Sequence, residues 1–115
     1  MRYSDLQRVD KMCVTLRKLL DYLGENGITQ ARILAEEPLR WAITTPLYNI
    51  GEQVYALSNT FKDAHPDIPW RAISGMRHRL VHDYERTNWT IMAEAALVEV
   101  PLLVARVKDL LEKSR

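Results

Sequence analysis

The sequence lacks most of the features that mark secreted and membrane-spanning proteins. It contains one cysteine, Cys13, so it cannot form an internal disulfide, and secretion is not supported. It has no run of about 18 apolar residues, which excludes a hydrophobic membrane-spanning helix. Residues 1–5 carry charge and precede no apolar stretch, unlike a signal peptide. We therefore expect a cytoplasmic protein with no membrane partner.

An excess of charge of one sign is also absent. The 115 residues include 16 basic and 15 acidic side chains, which gives a net charge of +1. A nucleic-acid coat protein or a polybasic membrane binder would carry a larger excess. If RNA or a phosphate group is the partner, the positive charge that binds it must be local. The length fits one domain, 1–115, and the 47% of apolar residues suffices for one core.

Glycine and proline are few, at four and five residues, and apolar residues recur in steps of three and four. This spacing predicts amphipathic helices, with a short helical turn capped by Thr29 in the connector 28–37. The long helices are predicted at 6–23 after a cap at Ser4 or Asp5, 39–61 after Pro38, 69 to about 82–84, and 91–111 after a cap at Asn88 or Thr90. No segment alternates with a period of two. The sequence therefore predicts an all-α, antiparallel four-helix bundle, whose leftover apolar surface favours a second copy.

The three tryptophans, Trp41, Trp70 and Trp89, lie at or near the predicted helix starts. A base-stacking platform usually consists of clustered, exposed aromatic residues. We therefore expect these three side chains to anchor packing instead.

The densest polar cluster, residues 77–86, lies at the C-terminal end of the third predicted helix. It holds Arg77, Arg79 and Arg86, and two of the three histidines, His78 and His82. A histidine exchanges protons near neutral pH, and an arginine stays charged and can bind a phosphate through two parallel hydrogen bonds. Together they supply what cleavage of an RNA phosphodiester needs without a metal, because RNA carries its own nucleophile, the ribose 2′-hydroxyl.

Helical geometry separates the two most reactive members of this cluster. Arg77 and His82 are five residues apart, which on a straight helix is roughly 140° of rotation and about 7.5 Å of rise. The two side chains can meet only if the helix loosens near His82, if the arginine reaches around, or if two subunits contribute to one site.

Plainer interpretations compete with catalysis at this cluster. The arginines could form a solvated face, and a histidine near a helix C-terminus is stabilised there by the helix dipole. His78 and His82 are four residues apart and could bind zinc, but no third ligand is marked, since Cys13 and His65 lie far off. Tyr84 could pack its ring with its hydroxyl in water, or present a modifiable hydroxyl beside the site.

The cluster resembles the signature of HEPN domains, which is an arginine, four residues, a histidine, one residue and a tyrosine. Here these are Arg77, His82 and Tyr84. Three further segments are similar, in order and spacing, to the HepT-like toxin branch, namely Ile50-Gly51-Glu52, His65-Pro66-Asp67-Ile68-Pro69-Trp70-Arg71 and Gly75-Met76-Arg77. The short signature alone is weak, whereas the combination is specific and covers nearly the whole chain.

This resemblance implies a homodimeric, metal-independent endoribonuclease with no cofactor. Arg77 would bind the RNA phosphate and His82 would act as general acid or base, with both subunits lining a cleft at the dimer interface. The resemblance also implies a type VII-like toxin–antitoxin pair, in which a minimal nucleotidyltransferase antitoxin adds a nucleotide to Tyr84. The added anionic group would compete with RNA for Arg77 and silence the toxin.

One position departs from the usual pattern of the family. The residue after the motif arginine is often a small polar one such as Asn or Asp, and here it is His78. His78 could serve as an additional base or could remove a hydrogen bond, and Asp83 beside His82 is a second auxiliary candidate. Three hypotheses stay open at this point: an active endoribonuclease, a weak or inactive module that partners a nucleotidyltransferase, and a plain structural bundle.

Overall fold

The computed structural model describes the backbone of residues 4–82 and 84–114 and their side chains, except those of Val81, His82 and Tyr84. Its elements are α1 (Asp5–Glu25), α2 (Gln30–Ala35), α3 (Glu37–Ala56), α4 (Asn59–Ala64), α5 (Trp70–His82), a 3₁₀ turn (Tyr84–Arg86), α6 (Trp89–Glu94), a π-helical turn (Ala95–Glu99) and α7 (Val100–Lys113). These residues contain no strand, which confirms the predicted all-α fold of a HEPN-like helical bundle.

The first two helices begin at the predicted caps. The Ser4 hydroxyl accepts a hydrogen bond from the Gln7 amide at 3.2 Å, and the Gln7 side chain accepts one from the Ser4 amide at 2.7 Å, so Ser4 and not Asp5 is the cap. Gly27 follows α1 with a φ of 56°, a backbone conformation that favours glycine. The Thr29 hydroxyl accepts from the Arg32 amide at 3.2 Å and starts α2, which confirms the short helical turn.

The second long helix was predicted to continue through Phe61, and this was wrong. It ends at Ala56, and Ser58 starts a separate helix, α4, by accepting a hydrogen bond from the Phe61 amide at 3.1 Å. The Asp5 carboxylate of α1 accepts from the Ser58 amide at 2.9 Å and from its hydroxyl at 2.7 Å. These hydrogen bonds lower the pKa of Asp5. They also fix Ser58 between α3 and α4, at a point where the spacing of apolar residues predicts one continuous helix.

The last long segment is a helix interrupted by a wide turn. Asn88 caps α6 by accepting from the amides of Thr90 and Ile91 at 3.1 and 3.3 Å, so Asn88 is the cap of the two candidates. The π-helical turn Ala95–Glu99 then follows, and α7 begins immediately before Pro101. Because proline has no amide hydrogen to donate, a locally altered hydrogen-bond pattern before it is expected. The backbone stays helical from α6 through this turn into α7, so the helix is not split at Pro101, and its predicted bend stays a prediction.

The core is purely apolar within the described residues and lies between α1, α3, α5 and the α6–α7 segment. It contains no buried polar or charged residue. Met12, Leu16, Ile43, Leu47 and Ile50 are among its fully buried members. None of the described helices is both long and apolar enough to cross a bilayer.

Helices α3 and α5 are in close contact at Gly51. Gly51 of α3 packs so tightly on α5 that an added Cβ would lie 2.7 Å from the Cβ of Arg77 and 3.2 Å from the carbonyl oxygen of Ile73. Contacts at such distances require one of the helices to move. Gly51 is therefore present because the backbone of α5 occupies the space of a side chain, and this contact places Arg77 beside α3.

Gly51→Ala is expected to destabilise the fold. The added methyl group gains up to about 1 kcal/mol of helix propensity but costs roughly 1–3 kcal/mol of overpacking, because Arg77 meets it with rigid Cβ and backbone atoms. The matched control is Gly75→Ala in α5, where nothing lies within 4 Å of the added carbon, so this variant should be neutral or more stable. Urea denaturation measures both variants. Equal stability of the two would show that α3 and α5 are not in close contact.

Candidate functional site

Arg77 is the centre of a four-residue polar group between α5 and α3. Its Nε donates a hydrogen bond to the Glu52 carboxylate, with which it also forms an ion pair. The guanidinium carbon lies 4.6 Å from the ring centre of Tyr55, a cation–π contact. The Arg77 side chain is 29% exposed. These contacts therefore fix the Arg77 cation in a half-buried position, unlike an arginine on an ordinary solvent-exposed face.

Glu52 receives a second hydrogen-bond donor, Tyr48, beside the guanidinium of Arg77. The Tyr48 hydroxyl donates a hydrogen bond to Glu52 Oε1 at 3.2 Å. The Glu52 hydrogen bond and negative charge raise the pKa of Arg77 above its usual range, with a smaller contribution from Tyr48. A guanidinium has five N–H donors, of which Glu52 engages the one at Nε. The site thus presents a permanent cation in a fixed orientation.

The three α3 partners of Arg77 were not singled out from the sequence. Tyr48, Glu52 and Tyr55 lie at positions i, i+4 and i+7, so they share one side of a helix. Their spacing could have indicated a polar face, but only the contact at Gly51 shows that this face meets Arg77. The segment Ile50-Gly51-Glu52 contributed to the family resemblance without a role for Glu52.

The other predicted site residues lie at or beyond the end of α5. His82 is the last residue of this helix and Tyr84 begins the 3₁₀ turn, but both side chains lie outside the described residues, as does all of Asp83. His78 is exposed on α5. The backbone of α5 is helical up to His82, its last residue. The guanidinium of Arg77 is held against α3, so it does not reach around α5.

The zinc interpretation gains no support from the described part of the chain. Residues 4–82 and 84–114, where their side chains are described, contain no group of three His, Cys, Asp or Glu residues that could hold a metal ion. Cys13 is buried in the core. The prediction of a zinc ligand at His82 lies outside this description.

A second feature is an apolar groove between α5 and the α6–α7 segment. Its volume is about 380 Å³, and Ala72 and Met76 of α5 face Ile91 and Leu102 across it. Four exposed charged residues also line it, namely Arg79, Glu94, Glu99 and Arg106. The groove thus combines an apolar floor with equal numbers of acidic and basic side chains.

The expectation that all three tryptophans anchor packing was wrong for one of them. Trp70 is buried, and its indole N–H donates to the carbonyl oxygens of His65 and Lys62 at 2.9 and 3.2 Å. Trp89 packs against the core. Trp41, however, is 55% exposed near the start of α3. Helical spacing places it on the side of α3 that turns away from the core.

Comparison with known proteins gives one consistent result. The family described as "Ribonuclease HepT-like" matches residues 7–110 of this chain. "Putative RNase TTE0752" of Caldanaerobacter subterraneus subsp. tengcongensis is 36% identical over 89 residues, which are 77% of this chain and 80% of that protein. "Probable ribonuclease HepT" of Thermococcus cleftensis is 30% identical over 77 residues, which are 67% of this chain and 70% of that protein. No solved structure gives a significant match.

The ion pair of Arg77 and Glu52 is expected to be energetically coupled. In a double-mutant cycle with Glu52→Gln and Arg77→Met, measured by urea denaturation, the two losses should be less than additive, because each substitution removes the same interaction. The coupling should shrink in ~1 M salt, where the screening length is about 3 Å.

The control pair is Asp109 and Lys113, which lie 2.9 Å apart on the exposed side of α7. Its cycle should show little or no coupling, as is usual for solvent-exposed pairs. Additive losses at Glu52 and Arg77 would mean that the carboxylate does not hold the guanidinium in solution.

Proposed function

The chain belongs to the HepT-like ribonuclease family, and we propose that it is a metal-independent endoribonuclease, the toxin of a toxin–antitoxin pair. The observation that carries this proposal is Arg77. It occupies the arginine position of the family signature, and Glu52 and Tyr55 hold its cationic group in place near the surface. Such a preorganised cation stabilises the charge that develops on a phosphate during cleavage.

The proposed reaction uses the ribose of RNA as nucleophile. The imidazole of His82 accepts the proton of the 2′-hydroxyl, and the 2′-oxygen forms a bond to the adjacent phosphorus. The bond to the 5′-oxygen breaks, and this oxygen takes a proton from a protonated imidazole or from water. The products are a 2′,3′-cyclic phosphate and a 5′-hydroxyl. Arg77 binds the phosphate oxygens throughout, and His78 is an auxiliary candidate for the second proton transfer.

We propose further that each site combines Arg77 of one subunit with His82 of the other in a homodimer. On a regular helix the two residues point about 140° apart. The contacts of Arg77 with Glu52 and Tyr55 hold it toward α3. Of the three ways in which the side chains could meet, a shared site between two subunits is the one that these contacts favour.

The apolar groove between α5 and α6–α7 is the surface that we assign to the second copy. Arg77 lies on the α3 side of α5 and does not line this groove, so the dimer contact must extend across the exposed side of α5 for the shared site to form. Ile91, Val98 and Leu102 are each about half exposed beside or within it. An isologous dimer needs a self-complementary surface, and the two arginines and two glutamates that line the groove provide both signs of charge. The exposed aliphatic side chains would be covered when two such grooves meet.

Mixed dimers test the shared site. Arg77→Ala and His82→Ala should each abolish cleavage of a single-stranded RNA, and each removes one half of every site. After subunit exchange between the two inactive variants, half of the dimers are mixed and carry one intact site, so activity should return to about a quarter of the wild-type value. The assay contains EDTA, which should change nothing.

Arg71→Ala is the matched control, because Arg71 is an exposed arginine on the same helix and should be dispensable. Native mass spectrometry verifies that mixed dimers form. If they form without recovery of cleavage, each site lies within one chain. Cleavage that disappears with EDTA would show that the reaction needs a metal ion.

A second candidate function is favoured by the near-neutral charge of +1, since strong RNA binding usually accompanies a basic surface. In this proposal the chain is the partner and substrate of a minimal nucleotidyltransferase antitoxin and has little nuclease activity. Tyr84 begins a short 3₁₀ turn directly after α5, and the next two residues, Glu85 and Arg86, are exposed. The Tyr84 oxygen would attack the α-phosphate of a nucleoside triphosphate, with loss of pyrophosphate and of the phenolic proton.

Intact mass separates the two candidates. Incubation with a minimal nucleotidyltransferase encoded beside this gene and with ATP should add whole nucleotide units to the wild-type chain but none to Tyr84→Phe. If the modified chain no longer cleaves RNA and the unmodified chain does, the modification silences an enzyme. Modification without any cleavage beforehand supports the binding module, and no mass gain contradicts the role of Tyr84.

A further inference from the structure

Helix α3 carries three aromatic side chains at intervals of seven residues, Trp41, Tyr48 and Tyr55. Seven residues are nearly two helical turns, which corresponds to about 10.5 Å of rise and a drift of only ~20°. The three rings therefore follow one side of α3, and we call them the aromatic stripe. Trp41 is 55% exposed and Tyr55 is 64% exposed, whereas Tyr48 is half-buried and bonded to Glu52.

Contacts within this chain explain only part of the stripe. Tyr48 packs against the core and Arg77 lies over one side of the Tyr55 ring, but the exposed surface of Trp41 and of the rest of Tyr55 has no such partner in the part of the chain that the structure describes. Among the described residues, Trp41 and Tyr55 are the aromatic members of the large exposed apolar side chains, and the others are aliphatic. The core is filled from the opposite side of α3, by Ile43, Leu47 and Ile50. A wide aromatic surface in water is costly, and exposed aromatic surface of this kind often marks a binding site.

The groups beside the rings favour a nucleic acid over a protein partner. Thr45 and Asn49 of α3 are exposed and supply a hydroxyl and an amide. Two carboxylates lie on this side: Glu52 is paired with Arg77, and Glu37, one turn before Trp41, lies 4.0 Å from Arg40. No aliphatic side chain of α3 is among the large exposed ones of the described residues, in contrast to the aliphatic surface of α6–α7. Rings, hydroxyls and amides suit unpaired bases, which offer a flat face and polar edges.

The stripe ends at the cation of the candidate site. The guanidinium of Arg77 lies over the ring of Tyr55, 4.6 Å from its centre. A strand whose bases stack along the stripe would therefore bring its phosphate backbone to Arg77 at one end. Tyr55 lies fourteen residues after Trp41, a rise of about 21 Å, which is the length of roughly six stacked bases at ~3.4 Å each.

We propose that the aromatic stripe is a binding track for an unpaired RNA strand, which it guides over about six nucleotides to Arg77. This inference rests on the proposed function, because it takes RNA as the substrate. It assigns Trp41 and Tyr55 to substrate recognition, and Trp41 lies too far from Arg77 to take part in the reaction itself. The track favours single-stranded over double-stranded RNA, since paired bases cannot present their faces to the rings.

The binding test uses single-stranded RNA of three to ten nucleotides with 2′-O-methyl riboses, which cannot be cleaved by attack of the 2′-hydroxyl. Affinity should rise with length up to six or seven nucleotides and then level off. Trp41→Ala should bind the heptamer about 5- to 150-fold more weakly, the range for loss of one base–aromatic stack, whereas Trp41→Phe should retain most of the affinity. Val14→Ala is the control, because Val14 is 53% exposed on α1 and outside the stripe.

A cleavage test separates this inference from the proposed function. A dinucleotide substrate reaches Arg77 but not Trp41, so Trp41→Ala should leave its kcat/KM unchanged while lowering that of a ten-nucleotide RNA. If the wild type cleaves neither substrate but binds the heptamer through Trp41, the track stands and the nuclease fails. Unchanged heptamer binding by Trp41→Ala overturns the track. If Trp41→Ala changes the oligomeric state or antitoxin binding but not the RNA affinity, the track is also overturned, since the aromatic stripe would then contact protein.

Discussion

The contact between α3 and α5 at Gly51 is the constraint on which the candidate site depends. Because the backbone of α5 lies where a Cβ would be, Arg77 is placed directly above the side of α3 that carries Tyr48, Glu52 and Tyr55. A wider helix separation would leave the guanidinium in water, where it would lose both its carboxylate and its ring. The core below is wholly apolar in the described residues, so nothing else in it competes for the charge.

Local features of the sequence, namely helical periodicity and cap residues, predict much of the fold. Helical periodicity gave the long helices, and cap residues gave their starts, including the short α2 at Thr29. The break at Ser58 was missed, because apolar residues continue in register past it to Phe61. At the break, Ser58 caps α4 and also donates two hydrogen bonds to Asp5, a residue 53 positions earlier. No local pattern predicts a partner at that distance.

The candidate site, like the fold, was predicted from the sequence only in part. Arg77 was predicted from residue chemistry and from the family signature, and the roles of His82 and Tyr84 stay predictions. The partners of Arg77 were not predicted, because Glu52 and Tyr55 contact Arg77 only when α3 lies against α5. Trp41 was misjudged for a related reason: a tryptophan near a helix start packs or not according to which elements cover that side, and in the described chain more than half of Trp41 stays uncovered.

Two exposed surfaces, the aromatic stripe of α3 and the aliphatic surface of α6–α7, help to explain how a chain of net charge +1 could bind and cleave RNA. Most RNA-binding proteins gain affinity from many phosphate contacts, which a near-neutral surface cannot supply. In the proposed arrangement, stacking on α3 provides affinity without charge, and the cation is reserved for the phosphate to be cut. The aliphatic surface of α6–α7 is left for a second subunit. In the proposed regulation, one nucleotide added to Tyr84 would suffice to silence a site with so few cations, because its phosphate would compete for the same guanidinium.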